Sequence, residues 1–252
     1  MRFHRFSCGA FALVSVVASG SAFAKTCTLA SVSGVYGLFN TGTDGTGQPY
    51  ASAGQLTADG KGGLTFNSIT TSHNGTISTN TGTGTYTVAK NCTGTVTVSP
   101  PGSGTANIYG DTSDKGWQTI DTGSGTTGHL HVGFATPQGT VTCGLTGKAQ
   151  TFAINVSGTL IATGAVNYTG QARIDGKGKV AGNILTLNLN GTIDANVPIT
   201  GTYTEASTCL GTMTITPSGL TPLNFNTVVV NAGKEWLLIE TDNNTAVNGT
   251  MQ

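Results

Sequence analysis

Two histidines, His129 and His131, stand two residues apart. On a strand they project from one face, a spacing that zinc sites use. A third ligand would have to come from Asp111 or Asp121, and the matching stretch Val247-Asn248-Gly249-Thr250 carries no histidine. Surface histidines, and no metal site, are the expectation. Asp-Gly-Lys-Gly occurs at 59–62 and again at 175–178. Calcium takes six or more oxygen ligands, whereas each of these turns offers one carboxylate beside a lysine, so both are read as hairpin turns. No Gly-x-Ser-x-Gly elbow occurs, and the Gly-rich stretches lack the lysine and following helix of a phosphate loop. No catalytic residue and no cofactor are therefore expected. One acidic pair falls at matching strand positions in the two halves of the chain, Asp121 and Glu240. With Tyr50, in a loop near 41–50, these are the candidate ligand-binding residues.

The chain around these groups is poor in charge and rich in two residue types. Of 252 residues 38 are Gly, only 9% are charged, and the formal net charge is zero. Gly and Thr together make up a third of the chain. Gly disfavours helix interiors by about 1 kcal/mol per residue, while Thr suits pleated surfaces and Gly suits turns and bulges. An all-β fold follows. Phosphate neutralisation needs a basic patch, and none is visible, so nucleic acid is excluded as a partner.

Residues 1–24 have the layout of a secretory signal. Arg2 and Arg5 precede an apolar centre at 11–18, and Ala22-Phe23-Ala24 precedes Lys25 as a small-residue cleavage site. The apolar run is too short to cross about 30 Å of hydrocarbon. A secreted or periplasmic protein cleaved after Ala24, with no membrane span, is expected. Four cysteines then remain, and an even number in an exported chain argues for disulfides. Cys27 and Cys92 lie 65 residues apart, Cys143 and Cys209 lie 66 apart. That near-equality selects Cys27–Cys92 and Cys143–Cys209 from three possible pairings.

The matching intervals reflect an internal repeat. Gly54-Gln55 returns as Gly170-Gln171 and Asn74-Gly75-Thr76-Ile77 as Asn190-Gly191-Thr192-Ile193. Gly84-Thr85-Tyr86-Thr87 returns as Gly201-Thr202-Tyr203-Thr204, and Trp117 answers to Trp236. Two units are read, 25–137 and 138–252, joined near Thr136-Pro137-Gln138-Gly139. Within the first, turn signals separate eight alternating stretches near 34–42, 51–59, 63–72, 80–89, 93–99, 105–111, 116–122 and 126–134. Eight sequential hairpin-linked strands suit a closed up-and-down barrel. The expected fold is two tandem eight-stranded antiparallel up-and-down β-barrels after a signal peptide, rather than one sixteen-stranded membrane barrel, which needs an apolar outer band with aromatic girdles. Trp236-Leu237-Leu238-Ile239 is apolar on both faces, and a barrel–barrel or homo-oligomer contact through Trp236 and Leu238 is expected.

These motifs carry a family resemblance. Each unit resembles a group of uncharacterised secreted bacterial Gly/Thr-rich β-barrel repeat proteins, whose pattern has a D-G-x-G turn, G-T-Y-T before a Cys, then G-K-E and I-x-T-D. Here the second unit reads Gly201-Thr202-Tyr203-Thr204, Gly233-Lys234-Glu235 and Ile239-Glu240-Thr241-Asp242, while the first departs late, with Asp114-Lys115-Gly116. The resemblance implies export and a lipocalin-like or allene-oxide-cyclase-like barrel, with no established activity. The expected function is an exported non-catalytic barrel protein that binds a small apolar ligand or serves a surface or structural role. The alternative is a cyclase-like barrel enzyme with a pocket carboxylate. Mouth loops near 41–50 and 99–104, the latter with Pro100-Pro101-Gly102, would rim the pocket.

Overall fold

The computed structural model describes residues 26–99, 104–110, 116–122 and 129–252. The expected signal segment at residues 1–24, the expected Pro100-Pro101-Gly102 turn, Asp111, and the side chain of His129 lie outside the described residues. The first sheet contains β1 (Gly34–Asp44), β2 (Pro49–Ala58), β3 (Gly63–His73), β4 (Thr76–Val88), β5 (Thr93–Val98), β6 (Gly104–Gly110), β7 (Trp117–Asp121) and β8 (His129–Pro137). Each strand pairs antiparallel with the next, and β8 returns to β1 to close the barrel.

The second sheet contains β9 (Gln150–Leu160), β10 (Gly164–Ile174), β11 (Lys179–Val180), β12 (Ile184–Leu189), β13 (Thr192–Glu205), β14 (Leu210–Pro217), β15 (Leu223–Val230), β16 (Glu235–Glu240) and β17 (Thr245–Met251). It closes separately, through β17 on β9 and β9 on β10. The two-residue β11 and β12 together form its third strand. The equivalent β3 is continuous, with a bulge between Phe66 and Ile69. There Asn67 Nδ2 donates to Gln55 Oε1 at 3.0 Å and to Thr57 Oγ1 at 2.9 Å.

Turn chemistry sets the register in both copies. Asn74 and Gly75 have φ of 48° and 76°, and Asn190 and Gly191 have 48° and 93°, the left-handed pair that a two-residue hairpin requires. In the Asp-Gly-Lys-Gly turns, Asp59 Oδ1 accepts from the N–H of Lys61 and Gly63, and Asp175 Oδ1 from those of Lys177 and Lys179. These backbone donors hold both carboxyls below their ordinary range and keep them engaged in their own hairpins.

Both expected disulfides are present, each with a Cα–Cα distance of 5.0 Å. Cys27 precedes a short 3-10 turn, Leu29–Val32, which sits at the base of the first barrel; Tyr86 Oη donates to Leu29 O at 3.0 Å. β8 runs through Thr136 and Pro137, paired with Gly37 and Tyr36, so the chain leaves the first barrel at Gln138.

A third apolar cluster joins the barrels. Ala51 and Ala53 on the outside of β2 meet Val228, Val230, Leu237 and Ile239 on the outside of β15 and β16, with Phe39, Phe134 and Leu210 alongside. Trp236 and Leu238 do not make this contact: they belong to the core of the second barrel. Alternation along a strand places neighbours on opposite faces, and it is Leu237 and Ile239 that point outward. Polar groups seal the rim of the contact. Gln55 Nε2 donates to Thr208 O at 2.7 Å, Asn226 Nδ2 to Thr70 Oγ1 at 2.8 Å, and Asn248 Nδ2 to Asn40 O at 2.7 Å. The Ser72 hydroxyl donates to Thr245 O.

Two outcomes follow for stability. Replacing Cys27 and Cys92 with Ser releases a long loop and lowers the stability of the first barrel by about 4 kcal/mol, read by urea unfolding. Leu237→Ala costs about 2–5 kcal/mol, as for a core position, although Leu237 lies on the outside of its own barrel; a loss under about 0.5 kcal/mol, typical of surface sites, contradicts the barrel–barrel packing.

Candidate functional site

Both barrels place alternate residues inward, but the two interiors differ in bulk. The first encloses a cavity of about 430 Å³. At its base lie Val32, Tyr36, Leu56, Phe66, Tyr86 and Trp117, and at the opposite end lie Tyr50, Ser99, Thr105, Asp121 and His131. Strand direction explains this polarity. β1, β3, β5 and β7 run from the disulfide end to the far end, so Trp117 starts at the base and Asp121 finishes at the mouth.

Pairing register shows that the second interior carries bulkier side chains. The rung Asn40–Ser52–Thr71 across β1, β2 and β3 corresponds to Val156–Tyr168–Leu187 across β9, β10 and β12. Ala106, paired with Val96, corresponds to Phe225, paired with Met213. Thr119, opposite Gly133, corresponds to Leu238, opposite Gly249. Phe225, Leu187, Leu238 and Met213 are fully buried, and the ring of Trp236 meets Phe152 and Tyr203 edge-on at 6.2 and 5.6 Å.

At the end of the first barrel opposite the disulfide three side chains converge. The rings of Tyr50 and His131 stack with centroids 3.5 Å apart and planes 14° apart. His131 Nδ1 lies 4.0 Å from Asp121 Oδ2. Deeper in the cavity, Thr119 Oγ1 donates to Asn40 Oδ1 at 3.0 Å and Asn40 Nδ2 donates to Ser52 Oγ at 3.2 Å. The adjoining β1–β2 loop is fixed by Asp44. Its carboxylate meets His73 Nε2 at 2.8 Å and accepts from the N–H groups of Thr46 and Gln48 at 2.8 and 2.9 Å. The His73 bond, with those from Thr46 and Gln48, holds the Asp44 carboxyl well below the carboxylate range.

The structure therefore brings Tyr50 and Asp121 into one site and places Glu240 elsewhere, inside the second barrel. His131 is buried at 6% exposure and lines the cavity, contrary to the expected surface histidine. Its strand carries Leu130, Val132 and Phe134 on the outer face, the reverse of the usual pattern, which disguises the inward face. A usable signal was present: His131, Gly133 and Ala135 share a face with the same parity as Val247, Gly249 and Met251. Asn40, Ser52 and Thr119 were not visible as a set, because the strands that bring them together are distant in sequence. Among the described residues, no group of three or more His, Cys, Asp or Glu is arranged to hold a metal ion.

Glu240 is 2% exposed and its Oε2 has no hydrogen-bond partner among the described residues. Burial, and to a lesser degree the nearby Asp242, pushes its carboxyl up to about 8. Burial also raises the Tyr168 phenol, helped by Glu240 and Asp242. Compared with known proteins, the chain matches no family model and no curated sequence.

Glu240 makes stability depend on pH. The folded chain keeps a proton that the unfolded chain releases from about pH 4.5, so stability falls as pH rises and levels off above about 8. The full loss is on the order of 5 kcal/mol. Thermal unfolding of Glu240→Gln is expected to lose most of this dependence, keeping a Tm at pH 8 close to its value at pH 5.

Proposed function

We propose that the chain is an exported, non-catalytic carrier whose first barrel binds one small, largely apolar molecule through its open end. The cavity of about 430 Å³ carries this reading. It falls in the size range of small-molecule sites, and an eight-stranded barrel holds one such ligand at most. The packed second barrel then acts as a rigid support, covering the outer faces of β1 and β2. The cavity favours ligand binding over a purely structural role, for which two filled barrels would serve equally well.

Export rests on the signal-like residues 1–24 and on the two disulfides, which fit an oxidising compartment. Secretion or periplasmic residence follows from cleavage after Ala24. Among the described residues no helix is long and apolar enough to cross a membrane. The resemblance to secreted β-barrel repeat proteins supports the same placement.

One observation favours a second reading, the cyclase-like enzyme: a carboxylate and an imidazole, Asp121 and His131, meet inside the cavity beside Tyr50. A carrier returns its ligand unchanged, whereas an enzyme returns a product, so mass spectrometry of gently purified protein before and after incubation with the recovered ligand separates the two.

Trp117 supplies the binding test, since it lines the cavity while Trp236 lies in the packed barrel. An apolar fluorescent probe is expected to quench Trp117 and leave Trp236 unchanged, as read in Trp236→Phe and Trp117→Phe variants. Ala106→Phe copies the second barrel's Phe225 into the cavity and is expected to weaken probe binding at least tenfold. Unaltered probe affinity in a folded Ala106→Phe protein contradicts the cavity as the site.

A further inference from the structure

One rung of the first barrel is polar where its counterpart in the second is mostly apolar. Thr119, Gly133, Asn40, Ser52 and Thr71 follow one another across β7, β8, β1, β2 and β3. Thr119, Asn40, Ser52 and Thr71 line the cavity. The next rung towards the base, Trp117, Ala135, Leu38, Gly54 and Ile69, is apolar throughout. In the second barrel the matching rung is Leu238, Gly249, Val156, Tyr168 and Leu187, so closing the sheet does not require an amide and hydroxyls at this height. Gly133 serves the polar rung directly. A Cβ there would stand 2.2 Å from Asn40 Oδ1, in the space through which Thr119 reaches across β8 to Asn40.

The hydrogen bonds within the rung leave donors unused. Thr119 Oγ1 donates to Asn40 Oδ1 at 3.0 Å, and Asn40 Nδ2 donates to Ser52 Oγ at 3.2 Å. These three side chains carry four polar hydrogens, two on the amide and one on each hydroxyl, and the two bonds use two of them. Among the described residues, neither the Ser52 hydroxyl hydrogen nor the second amide hydrogen of Asn40 meets an acceptor. Turning the amide over makes Thr119 rather than Ser52 the unused hydroxyl and leaves the count unchanged. Ser52 is 1% exposed, and a buried donor without a partner is rarer than an acceptor with a spare lone pair. An acceptor inside the cavity completes the rung. A carbonyl oxygen has two lone pairs and no hydrogen of its own, which matches two unused donors. A hydroxyl would bring a further donor, and a hydrocarbon would leave both unmet.

Resting on the carrier reading above, we infer that the ligand is a carbonyl compound on an apolar chain, a ketone or an ester, whose oxygen accepts from Asn40 and Ser52. The chain below that oxygen lies against Leu38, Ile69 and Trp117.

The infrared carbonyl band of 2-nonanone bound to the full chain tests this. Two donors weaken the C=O bond, so the band is expected at lower frequency than for the same ketone in hexane. Ser52→Ala combined with Thr119→Val removes both hydroxyls. This variant is expected to move the band back towards its hexane position and to weaken ketone binding at least fivefold. Binding of 2-methyl-1-nonene, which has the same shape with CH2 in place of oxygen, is expected to stay within about twofold. A band at the hexane position in the unaltered protein overturns the inference while leaving the carrier reading intact, and so does an equal loss for ketone and alkene in the folded variant. If neither compound displaces the apolar probe that reports on Trp117, the carrier reading falls as well. The band in the unaltered protein decides the matter alone should the double variant fail to fold. Asn40→Val, which copies Val156 of the second barrel, then provides the second substitution, with the same shift and the same ketone-specific loss expected.

Discussion

Closing eight antiparallel strands into a barrel gives every residue one of two positions, inside or outside, and the alternation admits no third. Once β8 pairs with β1, the interior volume is set by strand number and tilt, and only the inward side chains decide how much of it stays empty. The two barrels share a strand plan, hairpin turns and a disulfide at the same end. Their interiors diverge at a few rungs. Where the first has Ser52, Thr71, Ala106 and Thr119, the second has Tyr168, Leu187, Phe225 and Leu238. Space in the one and close packing in the other follow from these side chains on a common backbone plan.

The same alternation explains the junction between barrels. In β15 and β16 both faces are apolar, since one fills the second barrel and the other covers the first. A polar outer face would leave Ala51, Ala53 and Phe39 against water, whereas here burial of both surfaces is worth about 25 cal/mol for each Å² of apolar area removed from it. Gln55 and Asn248 then satisfy carbonyls at the edge of the contact, as buried polar groups require. The Glu240 carboxyl is an exception, tolerable because its proton removes the charge.

Much of this architecture is legible in the sequence because it depends on short-range rules. Asn-Gly and Asp-Gly turns, period-two alternation and the nearly equal cysteine intervals lead to two barrels and the correct disulfides. The inward side of a strand is harder to read where both faces are apolar, as at Trp236-Leu237-Leu238-Ile239, or where the apolar face is the outer one, as at Leu130 to Phe134. Parity relative to Trp236 resolves the first case, since Glu240 lies four residues beyond it and shares its inward face, as Asp121 shares that of Trp117; the match of His131, Gly133 and Ala135 to Val247, Gly249 and Met251 resolves the second. Whether a barrel is hollow depends on side chains from all eight strands at one height, a sum that no local window contains. Tyr50 and Asp121 were visible as candidates; their meeting with His131 required the closed sheet.

The barrels join by unlike faces, the outside of β1–β2 on one and of β15–β17 on the other. Such a head-to-tail contact has no twofold to close it, and repeated between identical units it grows into a fibre. Here the growing end is blunted. The positions on β9 and β10 that correspond to Phe39, Ala51 and Ala53 are Asn155, Asn167 and Thr169, all exposed and polar. A third unit docked in the same way would meet polar side chains there in place of the apolar seat that β1 and β2 offer.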